Sequence, residues 1–461
     1  MFITIFRKEI LDQILSPKFL IVSLLCLVLI PASLALNYAS YRSAYQEFDS
    51  SQRDTKATTT VYREPSVLST FGVGLESVLP KIVTFAKYQT DARGTQAQNE
   101  VLSNINGKLD FVVITGFLLG LFAVLYAGSL VSGEKESGTL KLVLSNPAKR
   151  STIIAAKFLG GFCVLLIPFG ISTLLGVLIL LLEGFPLFAA GNLGQIIALT
   201  ALSVLYLSAL FCLGLLISTR THRTSIALLA SFFVWIFMTF VIPKMSEPIA
   251  GLIRRVPSDE IMKASRAQVR NQIEKEKGKA LTPLMEKYLQ TDVPGQRDWD
   301  AYRKSRGPVA KEYEERLAQT LQEFDADLER QKAARRALSL NIARLSPASA
   351  FTQSALALCH TGIPDLENFS RSIQAHYLQL YQVLFQYQFS DIFESADGTS
   401  RHQHGGDTLP EGKVDYPAFR YKFPSFAETL KDTAPDIVLL VLFNLIFFAA
   451  AYYSFARYDA R

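Results

Sequence analysis

Charge is scarcest in this chain where it would cost most. Asp, Glu, Lys and Arg together make up 19% of its 461 residues, and none lies inside six apolar stretches at 19–38, 111–132, 158–182, 196–217, 225–242 and 437–455. A helix needs about 20 mostly apolar residues to cross a hydrocarbon core of about 30 Å, and each stretch meets or approaches that length. Spans without ionisable side chains argue against the ion or proton paths of coupled transporters and channels. Cysteine is equally sparse. Cys26, Cys163 and Cys212 fall in spans and Cys359 stands alone in a long loop, so a disulfide scaffold is excluded. A nucleotide-binding loop is missing too. The nearest approach, Gly128-x4-Gly133, is followed by Glu134 and Lys135 where Lys and Ser or Thr are required, and it closes a span instead of following a strand. No Ser/His/Asp grouping and no paired intramembrane carboxylates support a membrane enzyme. The net charge of +6 needs no nucleic-acid partner.

What remains is a polytopic membrane protein, and its Lys and Arg give the orientation. Arg7, Lys8 and Lys18 precede the first span. Lys135, Lys141, Lys149, Arg150 and Lys157 lie between the second and third, Arg220 and Arg223 between the fourth and fifth, and Arg457 and Arg461 follow the sixth. The short loop 183–194 has neither residue type. Cationic loops stay inside, so both termini are expected in the cytoplasm of a bacterium, with the inner membrane as the location. The first stretch is too long for the apolar region of a cleavable signal peptide.

The segments between the spans carry their own patterns. In 1–17, Ile3, Phe6, Ile10 and Ile14 form one stripe opposite Arg7, Lys8, Glu9 and Asp12, which predicts an interfacial helix lying on the membrane lipid and ending at Pro17. The first span occupies 18–38. The first outer segment, 39–110, reads as mixed helix and coil with a short strand at 58–62. The second span, 111–132, contains Gly116-x3-Gly120, and the third contains Gly160-Gly161; such small residues permit close helix packing inside the bundle. Spans three to five occupy 158–243. The outer segment 244–436 is expected to be one helical domain. It holds an amphipathic helix at 308–345, with Pro308 in its first turn and Val309, Tyr313, Leu317, Leu321, Phe324 and Leu328 on one face. A second helix at 259–290 is expected to break near Gly278 or Pro283 and to pair with the first as a hairpin. A third covers 365–393. His402 and His404, with Asp397 and Asp407, are read as incidental to a polar loop and not as a metal site. The sixth span and the C-terminus take 437–461.

The loop 133–157 is the most informative. It reads Gly133-Glu-Lys-Glu-Ser-Gly-Thr-Leu-Lys-Leu-Val-Leu-Ser-Asn-Pro147, a short helix in which Leu140, Val143 and Leu144 are expected to form an apolar face for a soluble partner. Its pattern of an acidic pair, Gly-Thr, a Leu-Ser end, a Pro, a basic residue and a downstream Lys is similar to the signature of type 2 ABC export permeases. Here these positions are Glu134 and Glu136, Gly138-Thr139, Val143-Leu144-Ser145, Pro147, Arg150 and Lys157. The resemblance also takes in the N-terminal helix and the six spans. It implies a mainly α permease with a coupling loop, paired with a second permease copy or paralogue. Two cytoplasmic ABC ATPase subunits would bind the ATP, and this chain would need no cofactor of its own. The two large outer segments depart from the short outer loops of many members, and they leave room for an extracytoplasmic protein partner. Permeases similar to the Nos-type maturation transporter also carry outer segments, and nothing in the motif assigns this chain to that subgroup. The competing expectation is a membrane-anchored sensor or assembly scaffold whose outer helices bind a partner while nothing crosses.

Overall fold

The computed structural model describes residues 2–54, 60–76, 82–86, 89–93, 109–145, 149–189, 191–289, 298–394, 419 and 421–458. The fold is mainly α, and among the described residues six helices are long and apolar enough to cross a membrane. Helix α1 (Phe2–Ile14) stops where the Ser16 hydroxyl donates to the Gln13 carbonyl at 2.7 Å, and α2 (Pro17–Asp54) opens on a proline, whose missing N–H is harmless in a first turn. Its apolar sequence ends near Tyr38, yet the helix continues to Asp54. That continuation is about 20 Å of polar helix beyond the hydrophobic stretch.

The second span, α3 (Phe111–Glu136), is capped by Asp110, whose carboxylate accepts from the Val113 N–H at 2.7 Å and from the Val73 N–H at 2.8 Å. Within α3, Ile114–Leu119 widens to π geometry. The Gly116 carbonyl there accepts a hydrogen bond from the Tyr206 hydroxyl at 2.7 Å, and the Tyr206 ring stacks on Phe351 at 4.5 Å. The glycines predicted to pack helices do so within this chain. A Cβ on Gly120 would lie 2.7 Å from the Tyr206 hydroxyl oxygen, one on Gly160 2.9 Å from Glu9, and one on Gly161 2.9 Å from Phe211; Gly116 faces Phe351. The tightest approach among the described residues is elsewhere: a Cβ on Gly214 would run into the Val124 carbonyl oxygen.

After α3 come α4 (Thr139–Ser145), α5 (Arg150–Leu182), α6 (Asn192–Arg220) and α7 (Thr224–Ile253), the last with its own π stretch at Phe237–Val241. The sixth span, α12 (Phe426–Ala456), starts with a reciprocal cap in which Ser425 N donates to Glu428 at 2.8 Å and Glu428 N donates to the Ser425 hydroxyl. Asn444 on α12 donates to the Leu205 carbonyl at 3.0 Å, tying it to α6.

The chain divides into two compact units, Met1–Val241 with Ser346–Arg461, and Ile242–Leu345. The expected single domain over 244–436 is therefore too wide, because its second half belongs with the spans. Helix α10 (Pro347–Leu358) shows why. Its side chains are nearly all buried, against α6 and α12 among others. A short helix of small and apolar residues without a single charge packs closely into a protein interior. Its C-terminus ends on His360, the one non-glycine residue with positive φ (+56°) among the described residues. The His360 ring is buried between Gln195 and Asp365, at 2.6 Å from Nε2 and 3.2 Å from Nδ1. Nδ1–H donating to the carboxylate and Nε2 accepting from the amide satisfies all three side chains. Beyond it, α11 (Ile363–Glu394) packs Phe369 and Leu380 onto a three-stranded antiparallel sheet, β1 (Thr60–Tyr62), β2 (Ile82–Ala86) and β3 (Gln89–Arg93), through Val61 and Val83. The strand expected at 58–62 is thus present over 60–62, and its partner strands were not foreseen. His402, His404, Asp397 and Asp407 lie outside the described residues.

The second unit pairs α8 (Asp259–Leu289) with α9 (Trp299–Ala343). Gly278 and Pro283 do not break α8. Helix α9 begins earlier than expected because the Asp298 carboxylate caps it, accepting from Ala301 N at 2.9 Å, so Pro308 falls inside the helix instead of in its first turn. Arg266–Asp325, Lys277–Glu314 and Arg316–Glu276 pair at 2.9–3.1 Å, with numbers rising on one helix as they fall on the other, so the helices run antiparallel. Such solvated pairs contribute about 0–1 kcal/mol each and set alignment more than stability. The stripe from Val309 to Leu328 is half-buried throughout, as its period demands.

Candidate functional site

The loop between α3 and α5 reverses direction at Gly138. Its φ of +76° is costly for any L-residue, and no atom lies within 4 Å of where a Cβ would sit. The glycine is therefore there for its backbone alone. Thr139 follows, and its hydroxyl sits 2.9 Å from that of Ser137. On α4, Leu140 is buried, and Val143 and Leu144 pack half-buried on the core of the bundle. This corrects the expectation that these three face a partner. A seven-residue helix is not stable alone and needs its apolar face to hold it against its own protein. Ser137, Gly138, Thr139, Lys141, Leu142 and Ser145 face outward instead, with Leu142 at 69% exposure. Pro147 lies outside the described residues.

The charges of the loop are spoken for one by one. Lys135 Nζ donates to the Thr219 carbonyl at 2.5 Å and the Thr221 carbonyl at 3.1 Å, at the C-terminal end of α6, and lies 4.8 Å from the centre of the Tyr458 ring. Glu136 accepts from the Thr224 N–H at 2.8 Å, at the N-terminus of α7. Arg150 donates to the carbonyls of Ala456 at 2.5 Å and Tyr458 at 2.9 Å, at the C-terminus of α12. Each sign matches the helix end it meets, cations on carbonyls and the anion on an N–H, as the helix dipole favours.

Glu134 points the other way, into the protein. Lys157 lies well inside α5, not ahead of the span, and its ammonium is buried 2.9 Å from Glu134 and 3.1 Å from Glu9 of α1. Lys8 approaches Glu134 from the surface at 3.4 Å. Helices α1, α3 and α5 thus meet at one buried charge cluster. Sequence reading reached Lys157 only as a topology marker and a motif position, and Glu9 only as part of a polar face. A pairing across 148 residues has no local period to reveal it.

Among the described residues there is no group of three His, Cys, Asp or Glu side chains placed to hold a metal. A family model described as ABC-2 family transporter protein matches residues 3–460. A probable ABC transporter permease protein of Pseudomonas aeruginosa, NosY, is 33% identical over 130 residues, covering 27% of this chain and 46% of that protein. The chain thus spans about half the length of this curated relative. The match over nearly every residue, the six apolar spans and the loop that ties their ends together lead to one statement: this chain belongs to the ABC-2 family of transporter proteins, as a membrane-spanning permease.

Proposed function

We propose that this chain is the subunit through which cytoplasmic ATPase subunits drive export, or mechanical work on outer proteins, across a bacterial inner membrane. It hydrolyses nothing itself, lies with both termini in the cytoplasm, and works beside a second permease copy or paralogue. One observation carries the proposal. The loop 133–150 joins α3 to α5 by sequence and holds the ends of α6, α7 and α12 through Lys135, Glu136 and Arg150. A push on its exposed face is a push on five helix ends. The family membership and the similarity to a probable ABC permease support an ATPase as the source of that push.

Leu142 is the probe. A photo-reactive side chain at Leu142 is expected to cross-link to a co-expressed ABC ATPase subunit, detected as a shifted band containing both chains. The same group at Phe188, which is 81% exposed in the short loop between α5 and α6, should not cross-link. Cross-linking at Phe188 and silence at Leu142 would discard the assignment.

Sidedness has its own test. In cells, Ser145→Cys is expected to resist a membrane-impermeant maleimide until the membrane is opened, whereas Phe188→Cys labels at once. Native background is low, because Cys26, Cys212 and Cys359 are buried and Cys163 is half-buried. The reverse pattern would put the loop on the wrong side for a cytoplasmic motor.

A further inference from the structure

The last turns of α7, Ile242–Ile253, run along the last turns of α9. Ser246 Oγ lies 3.1 Å from Ser339 Oγ, and a Cβ on Gly251 would lie 3.0 Å from the Arg335 guanidinium, so 242–255 sits beside 330–345. Those two stretches hold eight Lys and Arg residues against one carboxylate, Glu247. That surplus is larger than the net charge of +6 on the whole chain. Pairing relieves little of it. Arg335 reaches Glu247 and Lys332 reaches Glu329, each only at 3.9 Å. Lys244, Arg254 and Arg255 are exposed, and among the described residues no carboxylate lies within ion-pair distance of them.

The same segment is amphipathic. Met245, Ile249, Leu252 and Ile253 form one face at 40–74% exposure, while Ser246 and Ala250 beside it are buried. The exposed face continues that of Phe233, Phe237 and Val241 earlier on α7. Helix α7 has 30 residues and is about 45 Å long, against a hydrocarbon core of about 30 Å. Its last turns therefore reach the headgroup layer, and Arg254 and Arg255 arrive there directly after the apolar face. An exposed apolar face flanked by cations settles at a bilayer surface and is drawn to anionic lipid. Cations so near the outer end of a span also oppose the bias that orients a membrane protein. A neutral headgroup layer offers nothing in return, whereas an anionic one attracts each of them.

We propose that this foot of the outer hairpin binds anionic phospholipid headgroups. Their phosphodiesters meet Lys244, Arg254 and Arg255, while Met245, Ile249, Leu252 and Ile253 rest among the acyl chains. Which leaflet the foot meets rests on the sidedness proposed above, and the maleimide experiment judges that separately. The choice of headgroup does not depend on it.

The test is native mass spectrometry of the purified full-length chain in a neutral detergent, with phosphatidylglycerol or phosphatidylcholine of the same acyl chains added. The parent should retain phosphatidylglycerol preferentially, and less of it as ammonium acetate is raised. Lys244→Gln with Arg254→Gln and Arg255→Gln should weaken that retention by roughly tenfold or more. Lys244→Arg with Arg254→Lys and Arg255→Lys keeps the charge and should keep the retention. Lys275→Gln with Lys279→Gln and Lys304→Gln makes the same change in net charge at exposed positions farther along the hairpin, and retention should match the parent. Each variant changes only exposed side chains, so thermal unfolding should confirm an intact fold. Equal retention of the two lipids, or an equal loss in the neutralised foot and the neutralised far hairpin, overturns the proposal. Polyglutamate that binds the parent but not the neutralised foot, with phosphatidylglycerol retention unchanged, would assign the foot to an acidic protein and overturn it as well.

Discussion

Lys157→Met is expected to be the most damaging single substitution in the membrane unit. The lysine is nearly the same size as methionine, so the loss is charge and not volume. It leaves Glu9 and Glu134 facing each other, with side chains only 5% and 15% exposed. Breaking a buried ion pair from one side typically costs about 3–5 kcal/mol, because the remaining charge is stranded. The chain should unfold lower by on the order of 5–10 °C, measured by fluorescence-detected thermal unfolding in detergent. It should also lose ATPase association, since α1 is no longer anchored to α5. The mechanism has an internal control. Adding Glu9→Gln and Glu134→Gln to Lys157→Met removes the stranded charges and should recover most of the lost stability. If Lys157→Met unfolds within a degree of the parent, the cluster is a surface feature and its anchoring role is gone.

Gly138→Pro is expected to separate assembly from coupling. Proline fixes φ near −65°, far from the +76° this position holds, so α4 cannot keep its direction. The bond from Gly138 N to the Lys135 carbonyl, at 3.2 Å, goes with it. Because no atom lies within 4 Å of the missing Cβ, the rest of the bundle is not crowded, so insertion and expression should survive while the loss of packing stays local to α4. Stimulation of the partner ATPase, measured as hydrolysis in proteoliposomes, should fall to the level of the ATPase alone. Gly138→Asn, which tolerates positive φ, should retain most of it; Gly138→Ala should sit between, at a cost of roughly 1–2 kcal/mol locally. Hydrolysis identical to the parent in Gly138→Pro would make the loop a mere connector.

The six spans were legible because an apolar run has to be about as long as the bilayer is thick, and that demand leaves a contiguous trace in the sequence. The helices α1 and α9 were legible for the related reason that a one-sided helix repeats its apolar residues every three or four positions. What stayed hidden depends on contacts between distant segments. Pro308 looked like a helix start because nothing local showed that Asp298 would cap the helix earlier. Helix α10 looked like part of an outer domain because its burial depends on Tyr206 and on α12. In the candidate site, the motif singled out the loop but misjudged its faces. Leu140, Val143 and Leu144 read as a docking surface because their period is the same whether the apolar face meets a partner or its own bundle. The five hydrogen bonds that make the loop a common fastening, at Thr219, Thr221, Thr224, Ala456 and Tyr458, have no signature in the loop's own sequence.

His360 carries two requirements that no other residue type meets together. Its backbone asks for glycine, and its ring is needed by Gln195 and Asp365 on either side. A change to glycine would ease the first and strand two buried polar groups. Among relatives of this chain, the three positions should therefore vary as a set: where glycine replaces the histidine, the partners of Gln195 and Asp365 have gone, and those positions should turn apolar or small in the same lineage. A relative that keeps both partners beside a glycine would carry an unfilled polar hole in its interior, and a bound water or ion is what should be found there.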